Sequence, residues 1–108
     1  MSRRTTQTLQ LELVDWKTHR EALRALREAV FIVEQGVPRD IEWDGQDEHA
    51  LHVLGTIDDL PVACGRLLPN GKIGRMAVLA DHRGHGHGAA VLDALISAAR
   101  ERGTDSVY

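Results

Sequence analysis

At 108 residues, 43% hydrophobic and 27% charged, the chain has the composition of one ordinary globular domain. Its formal net charge of −3 leaves no basic excess for general nucleic-acid binding, and no apolar run approaches membrane-spanning length. The lone cysteine, Cys64, excludes an internal disulfide and suits a reducing compartment. The polar opening Met1-Ser2-Arg3-Arg4 lacks a signal peptide's apolar core, so a cytoplasmic location is expected.

Residues 8–14 alternate polar and apolar through Leu9, Leu11 and Leu13, which predicts a half-buried strand. Asp15 is placed to cap a helix over residues 16–35. Trp16, Leu23, Leu26, Val30 and Val33 recur there at helical spacing, leaving Arg20, Glu21, Arg24, Arg27 and Glu28 toward water. Gly36 and Pro38 end it. Residues 39–48 hold Asp40, Glu42, Asp44, Asp47 and Glu48 without apolar periodicity, which reads as an acidic loop with at most a short helical turn. Such a loop would draw a cationic amine toward a cleft, and turnover should then fall as ionic strength rises.

Three strands are expected next, over residues 50–57, 61–68 and 72–79, joined by Asp58-Asp59 and by the hairpin signal Pro69-Asn70-Gly71. They should form an antiparallel meander. A helix over residues 89–102 carries Val91, Leu92, Leu95, Ile96 and Ala99 on one stripe, with Gly103 closing it. Residues 105–108 begin a strand that would return parallel to residues 72–79 by a right-handed crossover.

Between the third of those strands and the last helix runs Arg83-Gly84-His85-Gly86-His87-Gly88. Alternating glycines remove Cβ atoms where a helix begins, so an anion can touch backbone N–H groups directly. Those first N–H groups lack intrahelical partners, and the helix dipole adds partial positive charge. Arg83 adds a fork of donors. The segment reads as a cradle for phosphate or diphosphate.

These landmarks resemble the GNAT acetyltransferase superfamily, whose signature loop reads Arg/Gln-x-x-Gly-x-Gly/Ala. Arg83, Gly86 and Gly88 fill its defining positions, and Ile73-Gly74-Arg75-Met76-Ala77-Val78 looks like the family's central strand. A narrower likeness, to the ElaA-like subgroup, rests on Arg27, on Val30-Phe31-Ile32-Val33-Glu34-Gln35, on Asp44-Gly45-Gln46-Asp47 and on Ala50-Leu51-His52. The resemblance implies an α/β (α+β) fold over one domain, residues 1–108, with a mixed sheet in the order β-α-β-β-β-α-β. It implies acetyl-CoA as co-substrate, without a metal, and direct acetyl transfer to a small-molecule or peptide amine. Gly84, His85, Gly86, His87, Gly88 and Ala89 would hold the diphosphate with Arg83. Met76, Ala77 and Val78 would hold the pantetheine along a distorted strand, with an N–H near Val78 facing the oxyanion. Glu34 is the first candidate for the proton acceptor, ahead of Asp44, Asp47, Glu48 and His52. The family pattern continues with a further helix and two strands, so this form is expected to be shortened, or completed by a partner chain or a homodimer. Nucleic acid and membrane are not expected partners.

Other readings are weaker. Gly84-x-Gly86-x-x-Ala89 also fits a dinucleotide fingerprint, but the preceding strands read as hairpins rather than βαβ repeats. His82, His85 and His87 lie on a loop without the paired spacing of a zinc site. Cys64 reads as a small buried hydrophobe rather than a nucleophile. The second functional reading is a non-catalytic CoA-binding or dimerisation module.

Overall fold

The alternation at the start of the chain becomes strand β1 (Gln10–Val14). A computed structural model describes residues 8–104 and 106–108. Asp15 caps helix α1 (Trp16–Arg27), its side chain accepting from the Thr18 amide at 3.0 Å. Past Arg27 the helix widens into a π-helical stretch, Glu28–Glu34. There the hydrogen bonds span five residues instead of four and the winding is wider, so the stripe running through Trp16, Leu23, Leu26 and Val30 loses Val33, which is 75% exposed. Phe31 packs against the core in its place.

Arg27, expected in solvent, is 1% exposed. It shares the apolar stripe with Leu23 and Val30, and its charge is met by carboxylates from the acidic segment. That segment carries a short helix, α2 (Arg39–Glu42), and a 3-10 turn, Asp47–His49.

Strands β2 (Leu51–Ile57), β3 (Leu60–Leu67) and β4 (Ile73–Val78) follow. Asp58 and Asp59, at φ 52° and 67°, make the tight turn between the first two. The sheet runs β1-β2-β3-β4 and is antiparallel throughout, with Leu54 opposite Cys64 and Cys64 opposite Ala77. The antiparallel meander is therefore as expected. The expected parallel strand over residues 105–108 is not formed among the described residues, and residue 105 lies outside them. Tyr108 instead makes a two-bond contact, its amide donating to Gly71 O at 3.1 Å and its carbonyl accepting from Ile73 N at 2.7 Å.

Helix α3 (His87–Glu101) ends at Gly103 (φ 77°), where the amides of Gly103 and Thr104 donate back to Arg100 O and Ala99 O. Its buried face is Val91, Leu95, Ala98 and Ala99; Leu92, expected on that stripe, is partly exposed. The two helices cover opposite faces of the sheet. Leu23, Leu26 and Val30 cluster with Leu54, Cys64 and Ala77, while Val91, Leu95 and Ala99 cluster with Val53, Ala63 and Leu67. Fully buried leucines such as Leu23 and Leu95 each contribute about 2 kcal/mol. Gly65 lets α3 approach closely: a Cβ there would stand 2.7 Å from Val91 and 2.8 Å from Leu95.

Candidate functional site

Strand β4 is distorted at its middle. Cys64 pairs with Ala77 and Arg66 with Gly74, so Arg75 and Met76 together oppose Gly65, a bulge. Arg75 takes φ +50°, an uncommon value for a residue with a side chain. Beyond the bulge β4 has an open edge. Leu79 N donates to Val62 O at 2.9 Å, so by antiparallel alternation the N–H and C=O of Val78 turn toward that edge.

The start of α3 faces the same edge. Gly86 (φ 82°) is the N-cap and supplies no side-chain cap. The first helix bond runs from Ala90 N to Gly86 O at 3.1 Å, so the amides of His87, Gly88 and Ala89 precede the ladder. A Cβ built on Gly84 or Gly86 would meet nothing within 4 Å. Both glycines are exposed, so no side chain screens the main chain there.

Between these elements lies a pocket of about 300 Å³. Met76, Ala77 and Val78 line one side and Arg83, Gly84, Gly86, His87 and Gly88 another. His85 and Ala89, expected in the cradle, do not line it. Three residues that sequence reasoning missed do: Val30 and Gln35 from the end of the first helix, and His82. Gln35 stood in the Val-Glu-Gln segment, which was the available signal.

Glu34 lines an adjoining pocket with Asp81 and His82. Both its oxygens accept from Arg83, at 2.6 Å and 2.7 Å, while Arg83 Nε donates to Val78 O at 2.9 Å. That guanidinium holds the Glu34 carboxyl below the usual range. A carboxylate so engaged is a weak proton acceptor. In this arrangement it is the counter-ion of the loop's arginine.

The acidic segment is tied inward. Arg27 binds Glu42 through Nε and Asp47 through Nη1, both at 2.6 Å. Arg66 binds Asp44 at 2.7 Å and Asp47 at 2.9 Å. Arg75 reaches Asp44 at 3.1 Å and Glu42 at 3.3 Å. Three guanidiniums thus neutralise three carboxylates, and Asp44 is held down to about 2 by its hydrogen bonds with Arg66. Of the five acidic residues, Asp40 and Glu48 are exposed and take no part in this network among the described residues, so the expected steering of an amine by the whole loop loses its basis. His52 is buried, its Nε2–H donating to Asp47 O at 3.0 Å, and burial lowers its pKa. Burial pushes the Cys64 thiol up to about 12, which leaves it an inert core group. His85 and His87 stack with ring centroids 5.8 Å apart, and among the described residues no three potential ligands are grouped to hold a metal ion.

The sequence pattern of the acetyltransferase (GNAT) family matches residues 13–108. The chain belongs to the GNAT family. The N-acetyltransferase YjcF of Bacillus subtilis (strain 168), itself uncharacterised, is 36% identical over 81 residues, 72% of this chain and 58% of that protein. The chain thus spans less than two thirds of the length of the curated relatives it matches. Escherichia coli ElaA superposes with a TM-score of 0.81 at 27% identity, covering 92% of this chain and 74% of ElaA. An acyl-CoA N-acyltransferase from Pseudomonas aeruginosa gives 0.80 at 29%, covering 91% and 75%. Among the described residues no helix is long and apolar enough to cross a membrane.

Proposed function

We propose that this chain carries the acetyl-CoA site of an N-acetyltransferase and moves an acetyl group directly to a primary amine. One observation carries the reading: the uncapped start of α3 and the open edge of β4 border a single pocket. The amides near Gly84, Gly86 and Gly88, with Arg83, suit a diphosphate. The open edge along residues 76–78, where the N–H and C=O of Val78 turn outward, suits an amide-rich pantetheine arm, bonded as an added strand would be. The residues fit the co-substrate: glycine leaves the backbone bare where phosphate must approach.

In the reaction the neutral amine nitrogen attacks the thioester carbonyl, forming C–N as C–S breaks. The thiolate leaves and is protonated, and the amine gives up one proton. The Val78 N–H, turned to the edge, is placed to steady the negative oxygen. Glu34 enters this reading first as the residue that occupies Arg83 until phosphate takes its place. Released, it becomes available as the proton acceptor that its place in the sequence suggests. Within the family, the Val33-Glu34-Gln35 and Asp44-Gly45-Gln46-Asp47 segments support an ElaA-like placement.

Titrating acetyl-CoA into the protein, then following thiol release with a panel of amines, tests the proposal. Saturable binding with amine-dependent thiol release is expected. Absence of binding refutes it, and binding without amine-dependent release favours a non-catalytic CoA-binding module.

A further inference from the structure

Arg75 sits at the β4 bulge with a positive φ, a conformation that persists only where surroundings over-determine it. Those surroundings are visible. Its Nη2 donates to Ile41 O at 3.1 Å, to Glu42 O at 3.3 Å and to Asp44 Oδ2 at 3.1 Å. One side chain therefore fastens the middle of β4 to the acidic segment. That segment is itself fixed from beneath, since Arg27 and Arg66 are 1% and 4% exposed and hold Glu42, Asp44 and Asp47.

The strand needs such a tie. Across the bulge it loses regular pairing with β3, and among the described residues no strand is paired with Met76, Ala77 or Val78 on its other side. Without an outside restraint the bulge is free to slip by one residue, which would exchange the groups facing the edge. Cys64 marks the inner side of the same point, its thiol 3.8 Å from Arg75 O.

We propose that Arg75 is a positioning residue: by clamping the bulge to the loop between α1 and β2, it sets the register of the main-chain groups that receive pantetheine. The acidic segment is then part of the binding machinery as a brace. This rests on the acetyl-CoA reading above, and it makes a separable claim. The clamp governs the pantetheine half of the site, while the diphosphate half, at the start of α3, is independent of it.

Two variants test the clamp. Arg75→Gly keeps a residue that tolerates positive φ and removes only the tie. Asp44→Asn weakens one anchor, along with the Asp44–Arg66 pair beneath it, and leaves the carbonyl contacts of Arg75. CoA and ADP, which carries a diphosphate without pantetheine, are titrated by calorimetry into wild type and both variants. CoA affinity should fall about tenfold or more in Arg75→Gly and by a smaller factor in Asp44→Asn, with ADP affinity nearly constant. Arg75→Lys should not rescue, because the shorter side chain stops short of the Nη2 position and lacks the second nitrogen, Nε, that lies 3.3 Å from Glu42. Unchanged CoA affinity in both variants overturns the inference, as does an equal fall for CoA and ADP, which would mean general loosening. If Arg75→Gly does not fold, Asp44→Asn decides by the same criteria. Failure of the wild-type protein to bind CoA at all would refute the acetyl-CoA reading instead.

Discussion

Gly88→Ala should raise stability and leave cofactor affinity nearly unchanged, since the signature loop takes Gly or Ala at this position, whereas Gly88→Val should weaken cofactor binding. Gly88 is the second residue of α3, and its backbone φ is not in the left-handed region. A Cβ there would meet a single neighbour, Val78 Cγ2, at 3.9 Å, which is ordinary contact. Nothing in the fold opposes the methyl. Replacing glycine in a helix by alanine contributes about 0.5 kcal/mol at the low end of its range, appropriate to a first turn. With an unfolding entropy of about 2 cal/mol/K per residue, that raises Tm by about 2 °C over 108 residues. A lone methyl, which the signature loop accepts here, should leave the main-chain donors free to meet phosphate, but the branched side chain of Gly88→Val would crowd them. Losing one charge-assisted hydrogen bond in that valine variant costs about 1.5–3 kcal/mol, a rise in Kd of about tenfold to a hundredfold. Gly86 is a poorer probe, because its φ of 82° would add backbone strain to any substitution. Thermal unfolding and calorimetry with CoA read the two effects separately. An unchanged Kd in a folded Gly88→Val variant would remove the glycine loop from the binding site, and a lowered Tm in Gly88→Ala would refute the packing argument.

Glu34→Gln frees Arg83 from its bidentate partner, so CoA should bind several-fold more tightly by calorimetry. Loss of amine-dependent thiol release with an unaltered Kd would assign Glu34 to proton transfer instead. Cys64, with its thiol raised to about 12 by burial, should resist alkylation in the native protein and react only on unfolding; rapid labelling under native conditions would contradict its place in the core. Burial depresses the pKa of His52, so the unfolded chain takes up protons there more readily than the folded one. That contribution to stability is complete above the ordinary value of 6.5 and is lost as pH falls below it. Urea midpoints measured from pH 8 to pH 5 should decline on the acid side, and His52→Gln should flatten that decline.

Strand and turn positions were legible because their signals are local. Alternation marks β1, and Asn70-Gly71 and Asp58-Asp59 announce backbone that must reverse. The glycine loop was legible for the same reason: a few adjacent residues specify both its shape and its exposed donors. Arg27 was not. A charged residue on a helix is expected in water, and its partners Glu42 and Asp47 lie 15 and 20 residues away on a segment without periodicity. The one clue was its spacing, four after Leu23 and three before Val30, on the apolar stripe. Val33 was misplaced because a 3.6-residue period was carried into a stretch that the chain winds more widely. The pairing of Glu34 with Arg83, 49 residues apart, is a tertiary fact that no local pattern encodes. The same holds for the brace between Arg75 and the acidic segment.

Gly65 touches no part of the pocket, yet it determines how high the floor stands beneath α3. Because the sheet has no methyl at that point, the helix rests on bare backbone, and its first turn is lowered to meet the rim of β4. The reach of the cradle toward a ligand is therefore governed from behind, by an atom that is missing on the far side of the helix.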